Sequence, residues 1–352
     1  MAELLDYLKR AVTDNASDLF IVAGGRVCEK VEKHMQPISD ETVFPQETER
    51  LITELYVRAN RPIDNFLQQG DDDFSLSIPG LARFRVNTYR QRGSMAAVVR
   101  VVVFDVPDWQ KLHIPKQIME LSEVSHGMVL VTGTAGSGKS TTQACVIDRI
   151  NRTRNCHIIT LEDPIEFLHR NQKSIVSQRE ILIDSGDYLS ALRACLRQAP
   201  DVILLGEMRD HETIRTAMTA AETGHLLLAT LHTQGTVNTI DRIIDAFPGE
   251  QQGQVRVQLS MVLHTVVSQQ LIPAVNGELI PAYEIMHVNN AIRTLIRESK
   301  SHQIDNAISA GGGEGMISMD HYLLTLYQQG LIAKDTALDF AYHPEQLLRR
   351  IG

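Results

Sequence analysis

One short segment constrains this chain more than any other feature. Gly133, Thr134, Ala135, Gly136, Ser137, Gly138, Lys139 and Ser140, followed by Thr141, fit a glycine, four residues, then Gly-Lys-Ser. The segment follows the apolar stretch 128–132 and opens the apolar-periodic stretch 140–151, which predicts a buried strand, a tight loop and a helix. A chance glycine-rich loop lacks that context. The glycines let backbone N–H groups converge on phosphate oxygens, and the helix that follows adds its positive amino-terminal end. In this pattern Lys139 reaches the β- and γ-phosphates, and the Ser140 hydroxyl ligates magnesium.

The rest of the chain supports an α/β fold. Beyond residue 116, strands alternate with helices: 157–161, 202–205 and 226–231 read as apolar strands, and 211–222 as a helix. That alternation predicts a mainly parallel sheet. The first hundred residues differ. Stretches 4–12 and 47–59 have helical spacing, 73–78 and 82–90 alternate in the strand manner, 96–104 is a β-branched run, and Pro79-Gly80 is a turn. Residues 1–104 are therefore expected to form a small α+β domain. Residues 105–115, with two prolines, are expected to be a linker about which the domains open and close, and 116–352 a second domain. From about residue 289 the pattern is helical to the end, broken by a flexible loop at Gly311-Gly312-Gly313.

At 352 residues the chain has room for two domains. It carries 34 Lys and Arg against 43 Asp and Glu, a net charge of −9, which argues against a dedicated nucleic-acid partner. The 4 cysteines form no Cys-x-x-Cys pair, so no zinc knuckle or redox motif is visible. No apolar run approaches the roughly 20 residues that span a bilayer, and the amino terminus reads as an amphipathic helix, not a signal peptide. The expectation is a cytoplasmic protein without direct membrane insertion, met at the membrane only through a partner.

Four further groups carry chemistry. The apolar strand 202–205 leads into Gly206-Glu207, where a carboxylate would stand beside bound metal and attacking water; many buried strands also end in an acid. Glu162, Asp163 and Glu166 crowd the end of another strand, where a magnesium nucleotide would offset their repulsion, or where solvent would. His225 and His232 bracket strand 226–231, and His232 falls on the edge where open α/β sheets bind ligands. Arg83, Arg85, Arg90, Arg92 and Arg100 cluster in the first domain, with Arg83 and Arg85 on one strand face. Such arginines either form a solvated basic face or stabilise a phosphoryl group in transfer. Arg193, Arg197 and Arg209, around strand 202–205, are open to the same two readings.

Phosphate loop, acidic box, strand-end glutamate and histidine box come in an order that resembles the type II/IV secretion ATPase superfamily. Residues 191–210 and 219–244 look closely like its pilus-retraction branch, and 291–298 resembles a carboxy-terminal helix motif of that branch. The resemblance implies a RecA-like P-loop ATPase core, a PAS-like amino-terminal domain and a helical carboxy-terminal region. It implies ATP and Mg2+ as ligands, held by the phosphate loop. Glu207 is the implied catalytic glutamate, and Glu162 acts near water or metal. Glu166, His225 and His232 belong to the acidic and histidine boxes. Arg83, Arg85 and Arg100 are the implied arginines brought to the nucleotide. The implied assembly is a homohexamer that acts on pilin indirectly, through an inner-membrane platform protein. Accessory retraction and secretion ATPases share this chemistry; a nucleic-acid translocase and a non-hydrolysing structural ring fit less well. The loop departs from the family in reading Gly-Thr-Ala where Gly-Pro-Thr is usual. Phe20, Ala199 and the 25–35 segment depart too. Export branches carry a four-cysteine zinc motif that this sequence lacks, which favours retraction.

Overall fold

A computed structural model describes residues 3–32, 34–102 and 106–352. The chain divides into two compact units, Met1–Asp105 with Glu166–Leu168, and Val106–Ile165 with His169–Gly352.

The first unit is built on an antiparallel sheet. Its strands are β1 (Asp18–Val22), β2 (Cys28–Val31), β3 (His34–Pro37), β4 (Asp71–Ile78), β5 (Ala82–Gln91) and β6 (Ser94–Val102), in the order β3-β2-β1-β6-β5-β4. One face packs under the helices Leu4–Thr13, Pro45–Arg58 and Asp64–Gln69, where Leu8, Leu51, Leu55 and Phe66 meet Leu19, Phe84, Val86 and Val99. Strand alternation sends Arg83 and Arg85 to the opposite face from Phe84 and Val86. Arg85 stands directly across from Arg100 on β6. Like charges so paired weaken a sheet, and Arg100 is offset by its 2.9 Å bond to Asp18 on β1. The β-branched run was expected to reach 104; β6 ends at Val102, and residues 103–105 lie outside the described residues.

The second unit holds a sheet of β7 (Gly127–Thr132), β8 (His157–Glu162), β9 (Ile175–Glu180), β10 (Val202–Leu205), β11 (Leu226–Leu231), β12 (Leu263–Pro273) and β13 (Leu279–His287). The order is β13-β12-β7-β11-β10-β8-β9, parallel throughout except for the antiparallel β12–β13 pair. Both faces are covered, which is why the central strands are apolar without alternation. Met128, Leu130, Ile203 and Leu227 face one core with Ile214 and Met218 of the helix His211–Glu222. Val129, Ile158, Val202 and Leu228 face the other with Val146, Ile147 and Ile150 of the helix Lys139–Thr153. Each such buried aliphatic side chain contributes about 1.5–3 kcal/mol, so the helix behind the phosphate loop is firmly held.

Two expectations change. The segment 106–115 belongs to the second unit: Val106, Trp109 and Leu112 pack on its core, and Ile114 is buried. Its apolar residues outweigh its two prolines. The glycine triplet does not form an open loop. Gly311–Glu314 is a short 3-10 turn, with the Met316 side chain packed closely against Gly311.

Helices from Asn290–Arg297 to Pro344–Ile351 complete the chain. Glu284 on β13, only 3% exposed, ties them to the sheet. One of its oxygens accepts the N–H of Thr236, first residue of the helix Thr236–Asp245, at 2.8 Å. The other accepts the N–H of Met319, first residue of the helix Met319–Gln328, at 3.5 Å. Burial nevertheless pushes its pKa up to about 7. No helix among the described residues is long and apolar enough to cross a membrane.

Candidate functional site

The phosphate loop leaves the carboxyl end of β7 and enters the 15-residue helix Lys139–Thr153. Gly133, Gly136 and Gly138 all take positive φ, at 142°, 75° and 87°. Gly133 admits nothing larger, because a Cβ there would overlap the backbone carbonyl oxygen of Gln269 on β12. The Lys139 ammonium is held inside the loop, donating to the carbonyls of Gly133 and Thr134 at 2.8 Å each. The Ser137 hydroxyl is buried with no hydrogen-bond partner among the described residues. Thr134, Ala135 and Gly136 form the exposed crest, and Ser140 and Thr141 are half-buried in the first helical turn. An orphaned hydroxyl, a lysine and a helix amino terminus around a glycine-lined turn fit a phosphate group and its metal.

A cavity of about 540 Å³ opens beside the loop. Gly138, Thr141 and Thr142 line one side, and Ile114, Leu271 and Ile280 give it an apolar wall. It lies within the second unit and is large enough for a nucleoside.

Acidic groups gather where β8 and β10 end. Glu162 closes β8, and the peptide bond between Asp163 and Pro164 is cis. After β10, Gly206 keeps to the ladder: its N–H donates to Leu161 at 2.8 Å, and its carbonyl accepts the Thr230 hydroxyl. That clamp aims Glu207 off the sheet edge. Its carboxylate is 13% exposed and takes the Arg209 guanidinium at 2.5 Å and His232 Nε2 at 3.3 Å on separate oxygens. Arg209, left open by sequence reasoning, is therefore a direct partner of the strand-end glutamate. Gln178 donates to Glu162 at 3.3 Å. No cluster of three metal-ligating side chains occurs among the described residues, so a metal here would need ligands from a bound nucleotide.

Of the residues singled out from sequence, Glu162, Glu207, His232 and the phosphate loop all stand at the carboxyl edge of one sheet. His225 does not. It precedes β11, and its ring Nδ1 bonds the Ala220 carbonyl at 2.9 Å, at the strand end opposite His232. A strand of 6 residues separates the two by roughly 20 Å, so His225 does not reach the phosphate loop of its own chain. Glu166 is exposed and groups with the first unit, as do Arg83, Arg85 and Arg100. Sequence reasoning missed Gln269. It is 2% exposed, and its side chain accepts the Thr142 hydroxyl at 2.8 Å, so it forms the floor of the loop. The polar triplet Ser268-Gln269-Gln270 inside an apolar run was the available signal.

Comparison with known proteins agrees with this geometry. The family described as Type II/IV secretion system protein matches residues 2–311. The type IV pilus retraction ATPase PilT of Pseudomonas aeruginosa is 42% identical over 344 residues, covering 97% of this chain and 99% of that protein. The type IV pilus ATPase PilU of the same organism is 36% identical, covering 95% of this chain and 87% of that protein. A crystal structure of the pilus retraction motor PilT with bound ADP superposes with a TM-score of 0.91 at 41% identity, covering 99% of this chain and all (100%) of that one. Fold, phosphate loop and whole-length likeness together place this chain in the type II/IV secretion system protein family.

Proposed function

We propose that this chain is an ATPase that powers retraction of a type IV pilus. The observation that carries the reading is the phosphate loop, built for a polyphosphate and set in a chain that matches a retraction motor from end to end. ATP lies with its phosphates on residues 133–141 and its base and ribose in the adjoining cavity. Lys139 leaves its two carbonyl partners for the β- and γ-oxygens, and Ser137 gains the partner it lacks. The Ser140 hydroxyl and the nucleotide would hold magnesium, with Glu162 nearby, and the ion would neutralise phosphate charge.

Glu207 accepts a hydrogen bond from the attacking water and orients it. Arg209 and His232, one on each oxygen, fix the direction of that carboxylate. Arg83, Arg85 and Arg100 supply positive charge to the phosphoryl group in transfer. His225 and Glu166 serve contacts other than those of this loop. The motor acts as a homohexamer at the inner face of the cell membrane, through a platform protein, and reaches pilin indirectly. An accessory retraction role is the second reading, favoured by the likeness to PilU.

The test is magnesium-dependent ATP turnover with mass measured in the same samples. Lys139→Ala should abolish turnover, and Glu207→Ala should lower it at least about a hundredfold with nucleotide binding retained. Full activity in either variant refutes the mechanism. Twitching restored to a retraction-deficient cell by wild type but not by Glu207→Ala separates the principal role from the accessory one.

A further inference from the structure

The turn that carries the acidic box rests on β9, the last strand of the sheet. It leaves β8 at Glu162, and His169 brings the chain back to the second unit after Glu166–Leu168, which group with the first. β9 runs parallel to β8, with Thr160 opposite Gln178 and Glu162 opposite Glu180. Strand alternation puts Gln178 and Glu180 on one face. Glu180 is 4% exposed, and its carboxylate accepts the Ile165 N–H at 3.2 Å. Gln178 holds both ends of the turn. Its Oε1 accepts the His169 N–H at 2.7 Å, and its Nε2 donates to Glu162 Oε1 at 3.3 Å.

Chemistry fixes the direction of that amide. A backbone N–H can only donate, so the Gln178 oxygen faces His169 and its NH2 faces the carboxylate. One side chain therefore spans the turn, seated on a backbone amide at one end and presenting a donor to Glu162 at the other. Glu162 is half-buried beside the Gly206-Glu207 turn: the Gly206 N–H donates to Leu161 at 2.8 Å, and a Cβ on Gly206 would lie 3.4 Å from Glu162 Cα. A glutamate at a sheet edge has several staggered rotamers open to it. A hydrogen bond to its charged form is of the stronger kind and selects among them. Holding the turn does not ask for this second bond, since the oxygen alone serves His169.

We propose that Gln178 is a positioning residue for hydrolysis: anchored on the His169 amide, it holds the Glu162 carboxylate in the direction that serves the bound nucleotide. The inference rests on the reading of Glu162 as a group that acts beside the phosphates. Partners that orient such a group are worth about 10–100-fold in activity.

The test compares Gln178→Glu and Gln178→Met in the full chain. The first keeps an oxygen for His169 and removes the donor to Glu162. The second is uncharged and removes both, so it controls for the added charge. ATP turnover gives kcat and KM, with the melting temperature taken alongside. Both variants should lose about tenfold in kcat, with KM for ATP within about twofold. A wild-type kcat in Gln178→Glu would mean that Gln178 only holds the turn, and so overturns the proposal. A loss of activity that tracks a lowered melting temperature overturns it too. Glu162→Gln separates the two claims, read in single turnover with enzyme in excess so that slow variants stay measurable. Adding Gln178→Met to Glu162→Gln should cost less than about twofold more, because the carboxylate to be positioned is gone; a further loss as large as in the wild-type background overturns the proposal. If Glu162→Gln alone turns over as wild type, the reading of Glu162 falls. If it is impaired while both Gln178 variants behave as wild type, only the role of Gln178 falls.

Discussion

The floor of the phosphate loop offers a quantitative test of the packing argument. Thr142 and Gln269 are 1% and 2% exposed, and their 2.8 Å bond joins the loop helix to β12. Gln269→Leu keeps the volume but leaves the Thr142 hydroxyl without its partner. Orphaning a buried hydroxyl costs about 1–3 kcal/mol. Here the hydroxyl has a fallback, the Gly138 carbonyl four residues earlier in its own helix, which places the expected loss near 1–2 kcal/mol. For a unit of this size each kcal/mol lowers the melting temperature by about 2–4 °C, so the expected drop is roughly 2–8 °C. Thr142→Val in the same background removes the orphan and replaces both polar partners by apolar groups of similar shape, which is nearly neutral. The double variant should therefore melt above Gln269→Leu, with a coupling of about 1 kcal/mol. Thermal melts followed by circular dichroism measure all four proteins. Melting of Gln269→Leu within 1 °C of wild type (about 0.3 kcal/mol at that slope) would refute the reasoning, as would a double variant that loses the sum of the single losses.

Two further outcomes follow from the geometry. Gly133→Ala would force a Cβ onto the Gln269 carbonyl at a φ of 142°, so binding of a fluorescent ADP analogue should be lost; wild-type affinity would show that the loop tolerates the shift. Glu284, with its pKa raised from 4.5 to about 7, binds its proton more tightly folded than unfolded, so stability falls as pH rises through that window, by on the order of 3 kcal/mol in all. Glu284→Gln should flatten the decline in melting temperature between pH 5 and pH 8, and an equally steep decline in the variant would assign it to other groups.

The parts of the site that sequence made legible are those in which chemistry and backbone are local. The phosphate loop carries its own strand, turn and helix within 127–153, and Glu207 stands one glycine beyond its apolar strand. The β12–β13 hairpin was not legible. It is buried on both faces and includes Ser268, Gln269 and Gln270, polar side chains that read as surface until their partners on the loop helix and in the carboxy-terminal region are known. Likewise β1 to β3 are 4 or 5 residues long, and β3 is exposed throughout, so neither length nor alternation marks them. The role of 106–115 depends on which core its Trp109 and Ile114 meet, a question of tertiary packing. The separation of His225 from His232 was available from strand geometry alone, since a strand carries its two ends to opposite edges of a sheet.

Glu284 has a mechanical consequence. The helix that begins at Thr236 follows directly on the turn that carries His232, and the helix that begins at Met319 belongs to the carboxy-terminal bundle. Both are riveted by their first amides to one carboxylate on β13, and Ser268 on the neighbouring strand adds a second rivet by accepting the Gly235 amide at 2.9 Å and contacting the Tyr342 hydroxyl at 3.1 Å. These bonds form a strut between the turn that carries His232 and the last helices of the chain. A displacement of that turn during a catalytic cycle is carried to the bundle as rigid-body travel, so the compliance that a motor needs has to lie outside this path.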